Sequence, residues 1–147
     1  MVPSISREVG LVSCVKTKRA EPAVPKDLYT STYFEKMRAY AEAEHDEWWI
    51  LSAKYGLLDP DGDPIEPYDE TMTDATTAER RAWAEDVFAA LDQAGLLAPD
   101  VRLVIHAGSA YTEELVPMLE ESAVGEIQLP TKGLQIGKRL AWYSDRL

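Results

Sequence analysis

Apolar residues along the chain fall into two patterns, short unbroken runs and stripes at helical spacing, and the two alternate. "VGLVSC" (9–14), "EWWILSA" (47–53), "VRLVIHAG" (101–108) and "EIQLP" (126–130) are the runs, which predict buried strands. Between them, Thr32 and Glu35 stand at capping-box spacing ahead of Phe34, Met37 and Ala41, one face of a helix. Thr76 and Glu79 repeat that spacing ahead of Trp83, Val87, Leu91 and Ala94, and Gly95 closes the stripe. A third helix is expected from about Ala110 to Glu121, with Pro117 loosening its first turns or shifting its start, and a fourth over 133–147. Residues 19–30 carry two prolines and residues 59–70 carry three, so both read as loops.

Alternation of this kind predicts an α/β fold, a three-layer α/β/α sandwich around a small, mostly parallel sheet of about four strands. There are no repeats, low-complexity tracts or flexible linkers, so residues 1–147 read as a single domain.

Composition narrows the function classes. No apolar run reaches the roughly 18–20 residues of a membrane span, and the first ten residues lack the plan of a signal peptide, so the expectation is a cytoplasmic protein with no membrane partner. One cysteine allows no internal disulfide, and with two histidines it offers little for a zinc site. Net charge is −11, unevenly spread: residues 41–126 hold 21 Asp/Glu against four Lys/Arg, whereas residues 1–40 hold seven Lys/Arg against four Asp/Glu. An acidic body disfavours a broad footprint on duplex nucleic acid but leaves room for a small basic pocket. A solvated acidic surface explains the total equally well.

In open parallel sheets, ligands sit beyond the carboxyl ends of the strands. The residues that follow each run are polar. They are Ser13, Cys14, Lys16 and Lys18; Ser52, Lys54 and Tyr55; His106, Gly108, Ser109 and Tyr111; and Lys132 after the last. In "HAGSAY", Gly108 allows a tight strand-to-helix turn and Ser109 a cap, whose exposed N–H groups suit an anion. Cys14 reads either as a thiolate activated by Lys16 and Lys18 or as a small buried hydrophobe. In "PYDE" (67–70), Tyr68 and Asp69 are expected to overhang the strand ends as a lid. Asp69 is then a general base, a ribose-hydroxyl acceptor or an ordinary turn aspartate. Asp59, Asp61, Asp63 and Glu70 echo calcium-loop positions, but Pro64 stands where that loop needs glycine, so no metal or other cofactor is expected. His45 receives no role.

"LVSCVKTK", "LYTSTYF", "ILSAKYGLLDP", "IHAGSAY" and "LPTKGLQIGKRLAWY" together resemble a family of bacterial and phage domains known only by a domain-of-unknown-function label, over roughly residues 9–143. More weakly, "SCVKTK…LYTSTYF" is similar to a segment of the archaeosine synthases, in a domain resembling the uracil-DNA glycosylase fold. The basic strand-end loop is also similar to that of a DNA-binding peroxide-stress family. The resemblance adds Tyr29, Ser31 and Tyr33 to the candidate site and implies chemistry on a nucleobase.

These readings lead to one expectation and two alternatives. The expectation is an enzyme directed at a nucleotide or a single nucleobase of a nucleic acid, of N-glycosidic or transglycosylase-like type. Lysines would hold phosphate, tyrosines would stack, and Asp69, His106 or Cys14 would do the chemistry. The alternatives are a non-catalytic nucleotide- or phosphometabolite-binding module and a protein-interaction domain using the acidic face. Nothing in the pattern sets an oligomeric state.

Overall fold

Val9–Ser13 are buried along their whole length, as a central strand covered on both faces must be. The computed structural model describes residues 4–147. Its strands are β1 (Arg7–Ser13), β2 (Glu47–Ser52), β3 (Gly56–Leu58), β4 (Val101–His106) and β5 (Glu126–Gln128), and its helices are α1 (Pro25–Leu28), α2 (Thr32–Glu44), α3 (Thr77–Gln93), α4 (Ser109–Thr112), α5 (Leu115–Glu120) and α6 (Ile136–Ser144). The sheet order is β3-β2-β1-β4-β5, parallel except for β3. Val12 faces Ile50 on one side and His106 on the other.

The chain winds outward from β1 to β2 and then crosses back to β4, so the winding reverses between β1 and β4. Right-handed crossovers in opposite directions put their helices on opposite faces. Accordingly α2 meets α6 on one face, and α3 meets α4 and α5 on the other. Phe34 and Met37 of α2, and Val87 and Leu91 of α3, close on Leu11, Ile50 and Leu103 from the two sides, all fully buried. Each such side chain contributes about 1.5–3 kcal/mol by leaving water.

The α/β sandwich stands as the sequence predicts, with local corrections. β3 is a fifth strand. The chain turns back at Gly56 (φ +75°) and pairs antiparallel with Ile50–Ser52. Ser31, not Thr32, caps α2: its Oγ accepts the Phe34 N–H at 3.1 Å, and Thr32 is already helical. The Thr76–Glu79 box forms in full, at 2.9 and 3.1 Å. The expected third helix is two short ones. Pro117 falls in the first turn of α5, where its missing N–H costs little. Ser109 is the first residue of α4 rather than its cap, which is Gly108. No helix among the described residues is long and apolar enough to cross a membrane.

Candidate functional site

β1 and β4 end side by side, and the chain leaves them toward opposite faces. The gap between is a cleft of about 930 Å³, at the switch point where α/β sheets bind ligands. Its floor is Ser13 at the end of β1 with Cys14 and Lys16 after it, and Gly108, Ser109 and Tyr111 after β4. Tyr33 of α2 and Arg139 of α6 form one wall. The loop over residues 69–74 and Arg80 of α3 form the other.

The charges on these walls are held in place. Arg139 Nε donates to the Leu134 carbonyl at 2.7 Å, and its guanidinium lies over Gly108, where a Cβ would come within 3.2 Å of Nη1. Among the described residues neither Arg139 nor Lys16 has a carboxylate within ion-pair distance. Arg80 is committed elsewhere: it donates to the Met72 and Thr73 carbonyls at 2.8 and 3.2 Å and so ties the acidic loop to α3. Asp69 and Glu70 stand exposed on that loop.

Cys14 is 7% exposed, and its Sγ accepts the Ala53 N–H at 3.4 Å and lies 3.2 Å from the Tyr111 hydroxyl. Burial, and then the neighbouring cysteine, push the Tyr111 phenol above its ordinary range, so it stays a hydroxyl. Tyr33 lines the cleft, and its hydroxyl is buried with no hydrogen-bond partner among the described residues.

The other expected residues lie elsewhere. Tyr68 is no lid. It is 7% exposed and anchors its loop in the core, bonded to Tyr29 at 2.6 Å and to Ser52 at 2.7 Å, with the Lys18 ammonium 4.4 Å from its ring centre. Burial lowers the Lys18 pKa, against the pull of Cys14, Asp69 and Glu70. Lys54 lies outside the cleft, in an adjoining groove of about 420 Å³ among carboxylates that shares Asp69, Glu70 and Asp74 with it. Tyr55 leans edge-on against Tyr68, and Lys132 is exposed in a turn that does not reach the cleft. Ser31 is spent on its helix cap. Among the described residues no three His, Cys, Asp or Glu side chains converge as metal ligands.

His106 is also absent from the rim, and the reason is a second cluster. Its side chain is fully buried. Nδ1 meets the Tyr143 hydroxyl at 2.7 Å and Nε2 meets His45 Nε2 at 2.8 Å. His45 Nδ1 meets Glu8 at 2.8 Å, and Arg102 bridges Glu8 and Glu126. Burial, then the second imidazole, pull the His106 pKa down to about 3. Burial pushes Glu8 up, but hydrogen bonds from His45 and Arg102 prevail and hold it below the usual carboxylate range. The His45 ring lies on the sheet over Gly10, where a Cβ would stand 2.4 Å from Cδ2. That glycine inside a strand was the one signal for His45. Arg80 and the inward turn of Arg139 had none.

A family model described as "Family of unknown function (DUF6884)" matches residues 9–145. The chain belongs to this family. The family's span runs from β1 through α6 and contains every cleft residue. The chain is also similar to the uncharacterized protein YfjM of Bacillus subtilis (strain 168), 35% identical over 72 residues, which are 45% of this chain and 48% of that protein. The chain thus spans about half the length of the curated relative it matches. No solved structure matches.

Proposed function

We propose that the cleft is the site of an enzyme directed at a nucleotide or nucleobase, with N-glycosidic or transglycosylase-like chemistry. The observation that carries this reading is a switch-point cleft in which Lys16 and Arg139 stand opposite the carboxylates of Asp69 and Glu70, none of the four in an ion pair among the described residues. Lys16 and the Arg139 guanidinium take a phosphate, the latter through paired N–H donors. Tyr33 and Tyr111 flank a flat ring. Lys16, Arg139 and Asp69 supply the few placed polar groups that a ligand pocket needs.

Breaking an N-glycosidic bond leaves C1′ to be taken by water or a second base, while the departing ring nitrogen gains a proton. Asp69 suits the general-base role, and Cys14, on the floor beside Tyr111, is the nucleophile within reach. A second reading, a non-catalytic binding module, gains from the withdrawal of His106 into the core, because the cleft then has more binding groups than proton carriers.

Turnover separates the two. Nucleosides, nucleotides and oligonucleotides are incubated with wild type, Asp69→Asn and Cys14→Ser, and free or exchanged base is followed by chromatography. Base release that both substitutions reduce supports the enzyme. Ligand-dependent thermal stabilisation without any product supports the module.

A further inference from the structure

We infer that the cleft takes a free nucleoside 5′-monophosphate rather than a nucleotide within a strand; the inference rests on the nucleotide reading above and specifies its substrate class. The charges are segregated by element. Lys16, beyond β1, and Arg139, on α6, are the cleft's cations without an ion pair among the described residues, and Arg139 is fixed by its 2.7 Å bond to Leu134 with its guanidinium over Gly108. Two such cations match one terminal dianion. Tyr33 lines the same cleft as Arg139.

The facing loop is acidic at its exposed face: Arg80 on that wall is turned to the Met72 and Thr73 carbonyls, and Lys18, which Asp69 and Glu70 attract, lies over the buried Tyr68 ring. Asp69 and Glu70 enter no ion pair among the described residues. The neighbouring groove, which shares Asp69, Glu70 and Asp74 with the cleft, is lined further by Glu79 and Asp86 against Lys54. A nucleotide inside a strand carries a phosphodiester on both sides of its sugar. With one seated on Lys16 and Arg139, the strand's other phosphates face that acidic wall. A free 5′-monophosphate has a single anionic end. Its far end offers ribose hydroxyls and base N–H groups (exocyclic amino or ring), which are donors, and ionised carboxylates only accept. Residues 41–126, with 21 acidic against four basic residues, give a polymer no second basic track along that stretch.

The test is titration calorimetry of wild type with the 5′-monophosphates of adenosine, guanosine, cytidine and uridine, and with mixed-sequence DNA and RNA octanucleotides, at several salt concentrations. The expected result is that at least one monophosphate binds ten-fold or more tighter than either octanucleotide, with a log–log salt slope no steeper than about −1.5, as befits one or two phosphate contacts. Asp69→Asn combined with Glu70→Gln is expected to narrow that gap by strengthening octanucleotide binding. Octanucleotides that bind as tightly as the monophosphates, or tighter with a slope of several phosphates, overturn this inference and leave the nucleotide reading standing. Absence of binding by both classes overturns both.

Discussion

His45 Nε2 and His106 Nε2 stand 2.8 Å apart, so the chain's two histidines share one hydrogen bond inside the core. If both rings are neutral, the contacts admit one proton arrangement. Glu8, an ionised carboxylate, only accepts, so His45 donates from Nδ1 and accepts at Nε2. His106 then donates from Nε2 and accepts the Tyr143 O–H at Nδ1. The chain of bonds ties together β1, the end of α2, β4 and α6, three of which carry cleft residues just beyond it.

This cluster makes the fold acid-sensitive. The His106 pKa is about 3 in the folded chain against 6.5 for an ordinary histidine. Below pH 6.5 the unfolded chain therefore binds a proton that the folded chain refuses, and the stability present above 6.5 is lost as pH falls toward 3. One such proton gives a slope of at most about 1.4 kcal/mol per pH unit. Urea unfolding between pH 5 and 7, where carboxylates contribute little, is expected to show this slope in wild type and a flatter one in His106→Gln. Equal slopes would count against a His106 held neutral by its burial.

Gly10 and Gly137 are expected to respond oppositely to alanine. A Cβ on Gly10 would meet His45 Cδ2 at 2.4 Å, and the fully buried ring has no room to retreat, so Gly10→Ala should cost about 1–3 kcal/mol. Nothing lies within 4 Å of a Cβ on Gly137, near the start of α6, so Gly137→Ala should gain up to about 1 kcal/mol. Urea midpoints of the two variants check both signs.

The caps of α2 offer a smaller contrast. Ser31→Ala removes the acceptor of the Phe34 N–H and should cost about 1 kcal/mol, whereas Thr32→Ala should stay within about 0.5 kcal/mol. Thermal unfolding of the two variants distinguishes them.

Cys14 is the chain's sole cysteine, so alkylation reports on it alone. At 7% exposure, with the Tyr111 hydroxyl 3.2 Å from Sγ, it should react slowly with iodoacetamide. Tyr111→Phe should speed the reaction several-fold, and a bound nucleotide should slow it. Indifference of the rate to both would place Sγ away from the ligand.

The sheet was legible in the sequence because its central strands are continuous apolar runs, and the long helices because their stripes and caps are regular. β3 was not, since three residues after a tight turn become a strand only by hydrogen-bonding to Ile50–Ser52. Strand order was not either. Polar residues follow every strand, but only the adjacency of β1 and β4 decides that Lys16 and Ser109 share a cleft while Lys54 and Lys132 lie outside it. Tyr68 and His106 look like site residues in a linear reading because both are polar and near strand ends. They are core residues because each finds buried partners from elements distant in sequence.

The central claim is that the cleft between β1 and β4 is the anion-binding site, and its most direct test is ligand-induced thermal stabilisation across nucleobases, nucleotides and inorganic phosphate in wild type, Arg139→Gln and Lys54→Gln. A ligand at 100 times its Kd stabilises the folded chain by about 2.7 kcal/mol, which is several degrees in Tm for a domain of this size. The expected result is stabilisation by phosphate-bearing ligands that Arg139→Gln removes and Lys54→Gln retains. Stabilisation that survives Arg139→Gln but vanishes in Lys54→Gln, or no stabilisation by any of these compounds, would contradict it.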